Sequence, residues 1–484
     1  MGMAETNEPK AFLSPEKRER WGVHYLGISL ILAWYYCLWF TPNVFASTPI
    51  TDANVTFSWL ATLLLTGIAF LAIPLCAKKV RFWEHPGIAV GFGVATSVAT
   101  VAFGGISQAI TTPLLALIVF PALFGVCNAV LWVAWGEFHA RRKSTFSLSK
   151  FVFMFGIVMF ASVGIAAVLP HYVVDVFVAL MPLASAFVYA KENRELGDSD
   201  LPVLLPKATR TKAFRATDII SLAIFATCMA CYFNIAIIPT EDLLDDGLSY
   251  TVGIMGSALV CLATALIQKM TGKAASYRIL PWLIVACIVG LALFANQDRV
   301  FFNASFVITV TLAGIMEVFL IAYFGALSVK GHLSAVFAFA ISSAVVRLGF
   351  FMGDALAVAY EHNAFLYENF THETSLLFVC LLAAMIIALL RQEHAILQLT
   401  KAPVGPSEIE EVCDAAIEEF SLSKREGEVL KYIARGYTVD NISKKLVISP
   451  YTTQTHVRHI YSKMHVHKRS ELLDYINMHR GENE

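Results

Sequence analysis

Long apolar stretches separated by short polar segments fill the chain to about residue 390. Beyond that point apolar residues recur at steps of three and four among charged ones. A bilayer core about 30 Å thick takes about 20 apolar residues of helix. Twelve segments meet that length: about 22–41, 55–76, 86–104, 111–135, 148–168, 171–190, 217–239, 248–270, 278–295, 301–329, 333–359 and 372–390. A short turn around Pro170 joins the fifth and sixth. Residues 1–21 are polar, and the apolar run after them exceeds a signal-peptide core of about 7–15 residues. It predicts a retained membrane helix. The longest internal hydrophilic stretch, about 191–216, splits the spans six and six, in halves of about 22–190 and 217–390.

Composition sharpens this picture. Hydrophobic residues are 57% and charged residues 15% of 484, against about 45–50% and about 25% in soluble domains. A soluble globule, a disordered chain and a secreted disulfide scaffold are disfavoured together. The net charge of −1 averages unlike parts. If the N-terminus is cytoplasmic, 23 of the 36 Lys and Arg fall in cytoplasmic segments and only Arg299 in an outer loop. The outer loops at 240–247 and 360–373 are acidic. Lysine and arginine bias sets membrane orientation, so both termini are expected in the cytoplasm of a bacterial inner-membrane protein. This six-plus-six layout, with a long middle loop, resembles the major facilitator superfamily, whose halves are parallel repeats. Its usual loop motif after the second span is absent. Here the segment reads Cys76-Ala-Lys-Lys-Val-Arg-Phe-Trp-Glu-His-Pro86.

Charges at membrane depth are costly and are functional candidates by default. Glu317, Arg347 and Asp354 are the three that stand out. Arg347 and Asp354 lie seven apart, about two helical turns on one face. Arg347 suits a carboxylate or phenolate through a forked hydrogen bond. Glu317 suits a hydroxyl, an ammonium or Arg347 itself, and the three would then be an ion-pair cluster that fixes packing. Trp34, Tyr35, Tyr36 and Trp39 form either a ligand pocket or, as is commoner, an interfacial aromatic belt. Gly87-x-x-x-Gly91 and Gly349-x-x-x-Gly353 allow close helix approach. Nine cysteines show no framework spacing. Cys228-Met-Ala-Cys231 sits in an apolar stretch without further ligands, so packing is the expected role. No nucleophile–base motif, phosphate loop or metal-ligand cluster is visible. No enzyme activity, metal or cofactor is expected.

Residues 391–420 read as a linker. Lys401-Ala-Pro-Val-Gly-Pro406 breaks any helix, and 408–419 forms a short acidic helix. That helix connects the two parts or masks the basic face that follows. Residues 421–480 carry 11 basic and 5 acidic side chains, a basic footprint on a small module. Caps and apolar spacing predict four helices. Ser423 and Glu426 make a capping box. Gly436 ends the first helix, Thr438 caps the second, Ser449 with Pro450 starts the third, and Ser470 caps the fourth. Thr453, His456, Val457, Ile460, Tyr461 and Met464 form the inner stripe of the third helix. Its outer face carries Tyr451, Gln454, Thr455 and Arg458 for base edges, since Gln suits adenine, Arg guanine and the Thr methyl thymine. Thr452, Lys463, Lys468 and Arg469 suit phosphates.

The stretch from Phe420 to Arg480 resembles the LuxR-type helix-turn-helix domain. The matching points are Arg425, Glu428-Val-Leu430, Gly436, Ile442, Leu446, Ile448-Ser449, Thr452, Thr455-His-Val457, Ile460, Lys463, Val466 and Arg469. Gln454 and Ser443 depart from the usual Lys and Ala. The resemblance implies that the third helix reads DNA and that the fourth supplies a dimer contact. No receiver domain precedes the module, which argues against a phosphorelay regulator. The whole layout resembles membrane-bound LuxR-type regulators, which implies small-molecule sensing. The expected fold is therefore all-α: a major facilitator-like twelve-helix bundle over 22–390 and a four-helix LuxR-type domain over 421–484. The expected partners are double-stranded promoter DNA, a small-molecule ligand, the lipid bilayer and a second copy through the C-terminal helix. The alternative is a secondary transporter with a regulatory DNA-binding tail.

Overall fold

The structure is a computed structural model. It describes residues 22–41, 44, 57–76, 81–107, 114–142, 148–196, 201–202, 204, 248–271, 280–294, 299–329, 331–363, 365, 373, 376–384, 386, 406–434 and 437–478. Two compact units divide the chain, Met1–Lys401 and Ala402–Glu484. The described residues are helical or in turns, with no strand among them.

The first unit holds α1 (Leu26–Phe40), α2 (Phe57–Cys76), α3 (Pro86–Ser107), α4 (Phe120–Arg141), α5 (Leu148–Val168) and α6 (His171–Leu196). After these come α7 (Leu248–Thr271), α8 (Leu280–Phe294), α9 (Arg299–Val329) and α10 (Ala335–Glu361). A turn of 3-10 helix, Val23–Tyr25, leads into α1, and a π segment, Leu115–Val119, leads into α4. Ten of the twelve expected spans thus coincide with described helices. The segment 217–239, and Cys228 and Cys231 within it, lie outside the described residues. The last span is described mainly over 376–384.

Eight helices among the described residues are long and apolar enough to cross a membrane. Large apolar side chains such as Val98, Val168, Leu259 and Met352 cover the bundle's outer surface, as lipid contact requires. The chain is a multi-pass membrane protein. Its helices stop where the sequence punctuates. Gly331, at φ 72°, closes the end of α9, and Ser334 caps α10 by accepting from the Phe337 N–H. The α5–α6 turn holds because the Pro170 carbonyl accepts from Val173 and Val174.

Helix α2 packs against α10, and α5 against α7. These are the second and eleventh and the fifth and eighth expected spans. Shifting each number by six turns one pair into the other, which is the two-fold relation of six-plus-six repeats. Helix α1 packs between α5 and α6. That burial overturns the aromatic-belt expectation: Trp34 and Tyr35 are 0% and 1% exposed, and Tyr36 is buried too. The expectation for Gly87-x-x-x-Gly91 is also corrected. Gly87 and Gly91 face open space, whereas a Cβ on Gly27 would lie 1.8 Å from Trp135. Gly27 leaves room on α1 for the Trp135 ring of α4. The Ser185 hydroxyl of α6 reinforces that contact, donating to the Gly27 carbonyl (2.7 Å) while accepting from Trp135 Nε1 (3.0 Å).

The second unit holds α11 (Pro406–Glu419), α12 (Lys424–Ala434), α13 (Val439–Leu446), α14 (Pro450–Lys463) and α15 (Arg469–Met478). Its core is built from Val412, Cys413, Ala416, Leu422, Val429, Leu430, Ile433, Ile442, Ile460, Met464, Leu472 and Ile476. The acidic segment expected within the linker therefore supplies core residues. Helix α11 packs on α12 and α15. It does not lie over the exposed face of α14, as the masking expectation requires. Its acidic side chains hold it there: Asp414 pairs with Lys431 (2.6 Å) and Glu419 accepts from the Tyr475 hydroxyl (2.6 Å).

Candidate functional site: a nucleic-acid interface and a buried polar cluster

The capping box forms as its residues require. The Ser423 N–H donates to Glu426 Oε2 (2.7 Å) and the Glu426 N–H to Ser423 Oγ (3.3 Å). Ser449 accepts from the Thr452 N–H (3.0 Å) and starts α14 with Pro450 in its first turn. Thr438 stands at the start of α13 but makes no side-chain cap there. The turn from α13 to α14 passes through Val447 at φ 54°. The Ile448 N–H returns to the Ser443 carbonyl (3.0 Å), closing the helix through a left-handed residue. Ser421 (φ 49°) and His465 (φ 53°) close α11 and α14 in the same way. At Val447 the left-handed conformation is carried by a β-branched side chain that is 89% exposed.

On α14, Thr453, Ile460 and Met464 are buried, while His456, Val457 and Tyr461 are half-buried. The opposite face presents Tyr451, 79% exposed, with exposed Gln454 and Arg458. The Thr455 hydroxyl donates to the Tyr451 carbonyl (3.1 Å), so its polar atom is engaged within the helix. These four are the side chains expected at base edges. The residues expected at phosphates divide. Thr452 is exposed beside Ser449 Oγ (2.7 Å). Lys468 is exposed, 3.6 Å from Glu471. Arg469 is half-buried and donates to the Ile433 carbonyl (3.5 Å). Lys463 turns inward to Glu426 Oε2 (2.8 Å) and the Ser421 carbonyl (3.2 Å).

Glu426 is the polar hub of the module. Burial raises its pKa, but the Lys463 hydrogen bond and the Ser423 N–H and hydroxyl outweigh burial and hold it at about 2. His459 lies 3.6 Å from its other oxygen. The sequence exposed the capping box but gave no sign that Lys463, one turn past the recognition face, would return to it.

In the membrane unit, Glu317, Arg347 and Asp354 are all buried. Arg347 Nη2 donates to Glu317 Oε1 at 2.8 Å. The Tyr36 hydroxyl donates to Glu317 Oε2 at 2.7 Å. The guanidinium lies over the Tyr35 ring, 4.0 Å from its centroid. Asp354 is held apart, its Oδ2 accepting from Trp59 Nε1 at 2.6 Å. Buried Arg347 Nε and Nη1, Asp354 Oδ1, Tyr35 Oη and Trp39 Nε1 have no hydrogen-bond partner among the described residues. Beside the cluster, Tyr36, Phe40, Ile254, Val310, Ala313 and Phe350 enclose a cavity of about 10 Å³, roughly the room one water needs. Four helices, α1, α2, α9 and α10, therefore converge on the three charges. Trp59 was missed in the sequence. A tryptophan at membrane depth whose N–H needs an acceptor was the available signal.

A second polar group ties the segment after α2 to α4 and α6. The Trp83 N–H donates to Glu137 (3.2 Å), the Asn193 amide to the Trp83 carbonyl (3.0 Å), and Arg141 to Asn193 Oδ1 (2.6 Å). It occupies the place where the usual loop motif is absent.

The C-terminal unit is a DNA-binding helix-turn-helix module of LuxR type, attached to a major facilitator-like membrane bundle. Residues 420–476 match the family described as bacterial regulatory proteins, luxR family. Among curated relatives, the oxygen regulatory protein NreC of Staphylococcus epidermidis is 38% identical over 72 residues, 15% of this chain and 33% of that protein. The fimbriae Z protein of Salmonella typhimurium is 38% identical over 61 residues, 13% of this chain and 29% of that protein. The chain thus spans about a third of the length of these two relatives. A bacterial homologue of the iron transporter ferroportin in its outward-facing state has a similar fold, with a TM-score of 0.50 and 13% identity. The match covers 80% of this chain and all of that one. The human organic anion transporter MFSD10 gives a TM-score of 0.50 at 12% identity, over 78% of this chain and all of that one.

Proposed function

We propose that the chain is a one-component transcription regulator tethered to the bacterial inner membrane with both termini cytoplasmic. On this reading it binds a small molecule in its helical bundle and promoter DNA through the C-terminal module. The observation that carries the reading is the pairing, in one chain, of an exposed polar recognition face with a buried cluster of charges whose hydrogen bonds are incomplete. Unpaired buried donors and acceptors cost about 1–3 kcal/mol each, so a ligand that completes them has a source of affinity. Glu317, Arg347 and Asp354 belong to that ligand site, with Glu317 acting through Arg347 and Tyr36. A ligand shifts the protein between conformations only by binding them unequally. The four helices that meet at the cluster are where such a difference arises.

On DNA, Tyr451, Gln454, Thr455 and Arg458 take base edges, while Thr452 and Lys468 take phosphates. Arg469 and the remaining donor of Lys463 lie on the phosphate side as well. Helix α15 serves as the dimer contact. Binding of the 402–484 fragment to a selected operator, followed by anisotropy across salt, tests these roles. Arg458→Ala should cost about 1–3 kcal/mol and relax preference at one base pair, whereas Lys468→Ala should weaken all sequences alike and lower the salt slope by about 1. No binding to any selected DNA at low salt sinks the reading. The second reading, a transporter with a regulatory tail, is favoured by the bundle's likeness to transporters. Saturable uptake into proteoliposomes that Arg347→Ala abolishes would establish it.

A further inference from the structure

The distribution of charge in the buried cluster identifies the chemistry of its ligand. Glu317 and Arg347 neutralise each other, and both oxygens of Glu317 are engaged, by Arg347 and Tyr36. Arg347 was expected from the sequence to attract a carboxylate or phenolate. Its charge is already matched by Glu317, so an anionic ligand would find no free cation there. Asp354 is the group without a counter-charge. No Lys, Arg or His pairs with it among the described residues; its hydrogen-bond partner is the Trp59 indole N–H, and its Oδ1 is buried and unpaired. An unpaired carboxyl at membrane depth keeps a proton or takes a cation as its partner.

The surroundings of Asp354 select the kind of cation. Around the Trp59 ring stand Tyr35, Trp39 and Phe40, with centroids 5.6, 5.4 and 5.1 Å away. Aromatic faces attract ammonium groups. A hard metal ion instead needs about six to eight oxygen ligands, and Asp354 Oδ1 is the one unpaired carboxylate oxygen here.

We propose that the ligand is an organic amine. Its ammonium sits on Asp354 within the Tyr35, Trp39, Phe40 and Trp59 rings, and a neutral acceptor at its far end takes the Arg347 Nε and Nη1 donors. Seven helical residues separate the two ends, about 10.5 Å along α10, the length of a substituted arylalkylamine. Room for it requires α1 to move away from α9 and α10, because the cavity beside the cluster, between Tyr36 and Phe40 on one side and Val310 and Phe350 on the other, holds only about 10 Å³. This assignment rests on the reading of the cluster as a ligand site.

Thermal unfolding of the full-length protein in detergent tests it, with phenethylamine and phenylpropionate as matched cationic and anionic probes. Phenethylamine should raise Tm saturably and phenylpropionate should not. Asp354→Asn keeps an acceptor for Trp59 and so preserves the fold. It should weaken half-saturation by about a hundredfold or more, as removal of one partner of a buried pair does. A phenethylamine effect that persists in Asp354→Asn, or its absence in the parent protein, overturns the assignment. A phenylpropionate effect lost in Arg347→Ala overturns the amine but leaves the ligand site standing. If neither probe shifts Tm and reporter transcription is the same in Asp354→Asn as in the parent protein, the ligand site falls too.

Discussion

Replacing Glu426 by Gln isolates one charge in the DNA-binding module. A capping box accepts Glu or Gln at this position, so the Ser423 N–H keeps its acceptor. What disappears is the negative charge facing Lys463 at 2.8 Å and His459 at 3.6 Å. The folded module holds the Glu426 carboxyl at about 2 rather than 4.5. At about 1.36 kcal/mol per tenfold change in proton affinity, that is about 3 kcal/mol of stability at neutral pH. Screening at the module's edge makes this an upper bound, and charge-assisted hydrogen bonds elsewhere contribute about 1.5–3 kcal/mol. The sign follows from the lowered pKa. The contribution is complete above the unfolded value, shrinks below pH ~5, and is about 1 kcal/mol at pH 3. Urea unfolding of the 402–484 fragment, followed by circular dichroism at both pH values, measures it. Glu426→Gln should lose about 1.5–3 kcal/mol at pH 7 and less than half of that at pH 3. A loss below about 0.5 kcal/mol, or one that is equal at both pH values, refutes the hub.

Two further outcomes follow from the backbone and from packing. Val447→Asn places a residue tolerated in the left-handed region where a β-branched one now stands, so the same unfolding assay should show a gain of about 1 kcal/mol. In the full-length protein, Gly27→Ala should lower Tm sharply, because its Cβ meets Trp135 at 1.8 Å, whereas Gly87→Ala, in open space, should not. Helix propensity favours both changes by about 1 kcal/mol, so the contrast reads the steric term alone.

The parts legible in the sequence were those set by local chemistry. Ser423 with Glu426, and Ser449 before Pro450, marked two helix starts because a capping residue contacts backbone within one turn. The apolar lengths marked ten helices that the structure describes. What stayed hidden depends on which helices become neighbours. The sequence puts Arg347 and Asp354 on one face and offers Glu317 as a partner of Arg347, a pair that forms with α9, but nothing local points from Asp354 to Trp59 on α2. The aromatic composition of α1 suits an interfacial belt as well as a pocket; only the packing of α5 and α6 around α1 makes it core. Gly27 is a lone glycine without a motif, whereas Gly87 and Gly91 have the motif and no neighbour. Helix α11 looked like a linker because its acidic residues outnumber Val412, Cys413, Ala416 and Ile417, the four that dock it.

The cavity of about 10 Å³ beside the charge cluster bears on dose as well as on recognition. If the proposed amine enters only molecules in which α1 has moved away from α9 and α10, its measured dissociation constant is the intrinsic one divided by the fraction already open. Tight packing at Val310 and Phe350 then acts as a threshold: it sets how much ligand must accumulate before the protein responds. Trimming that wall raises sensitivity while touching none of the groups that recognise the ligand.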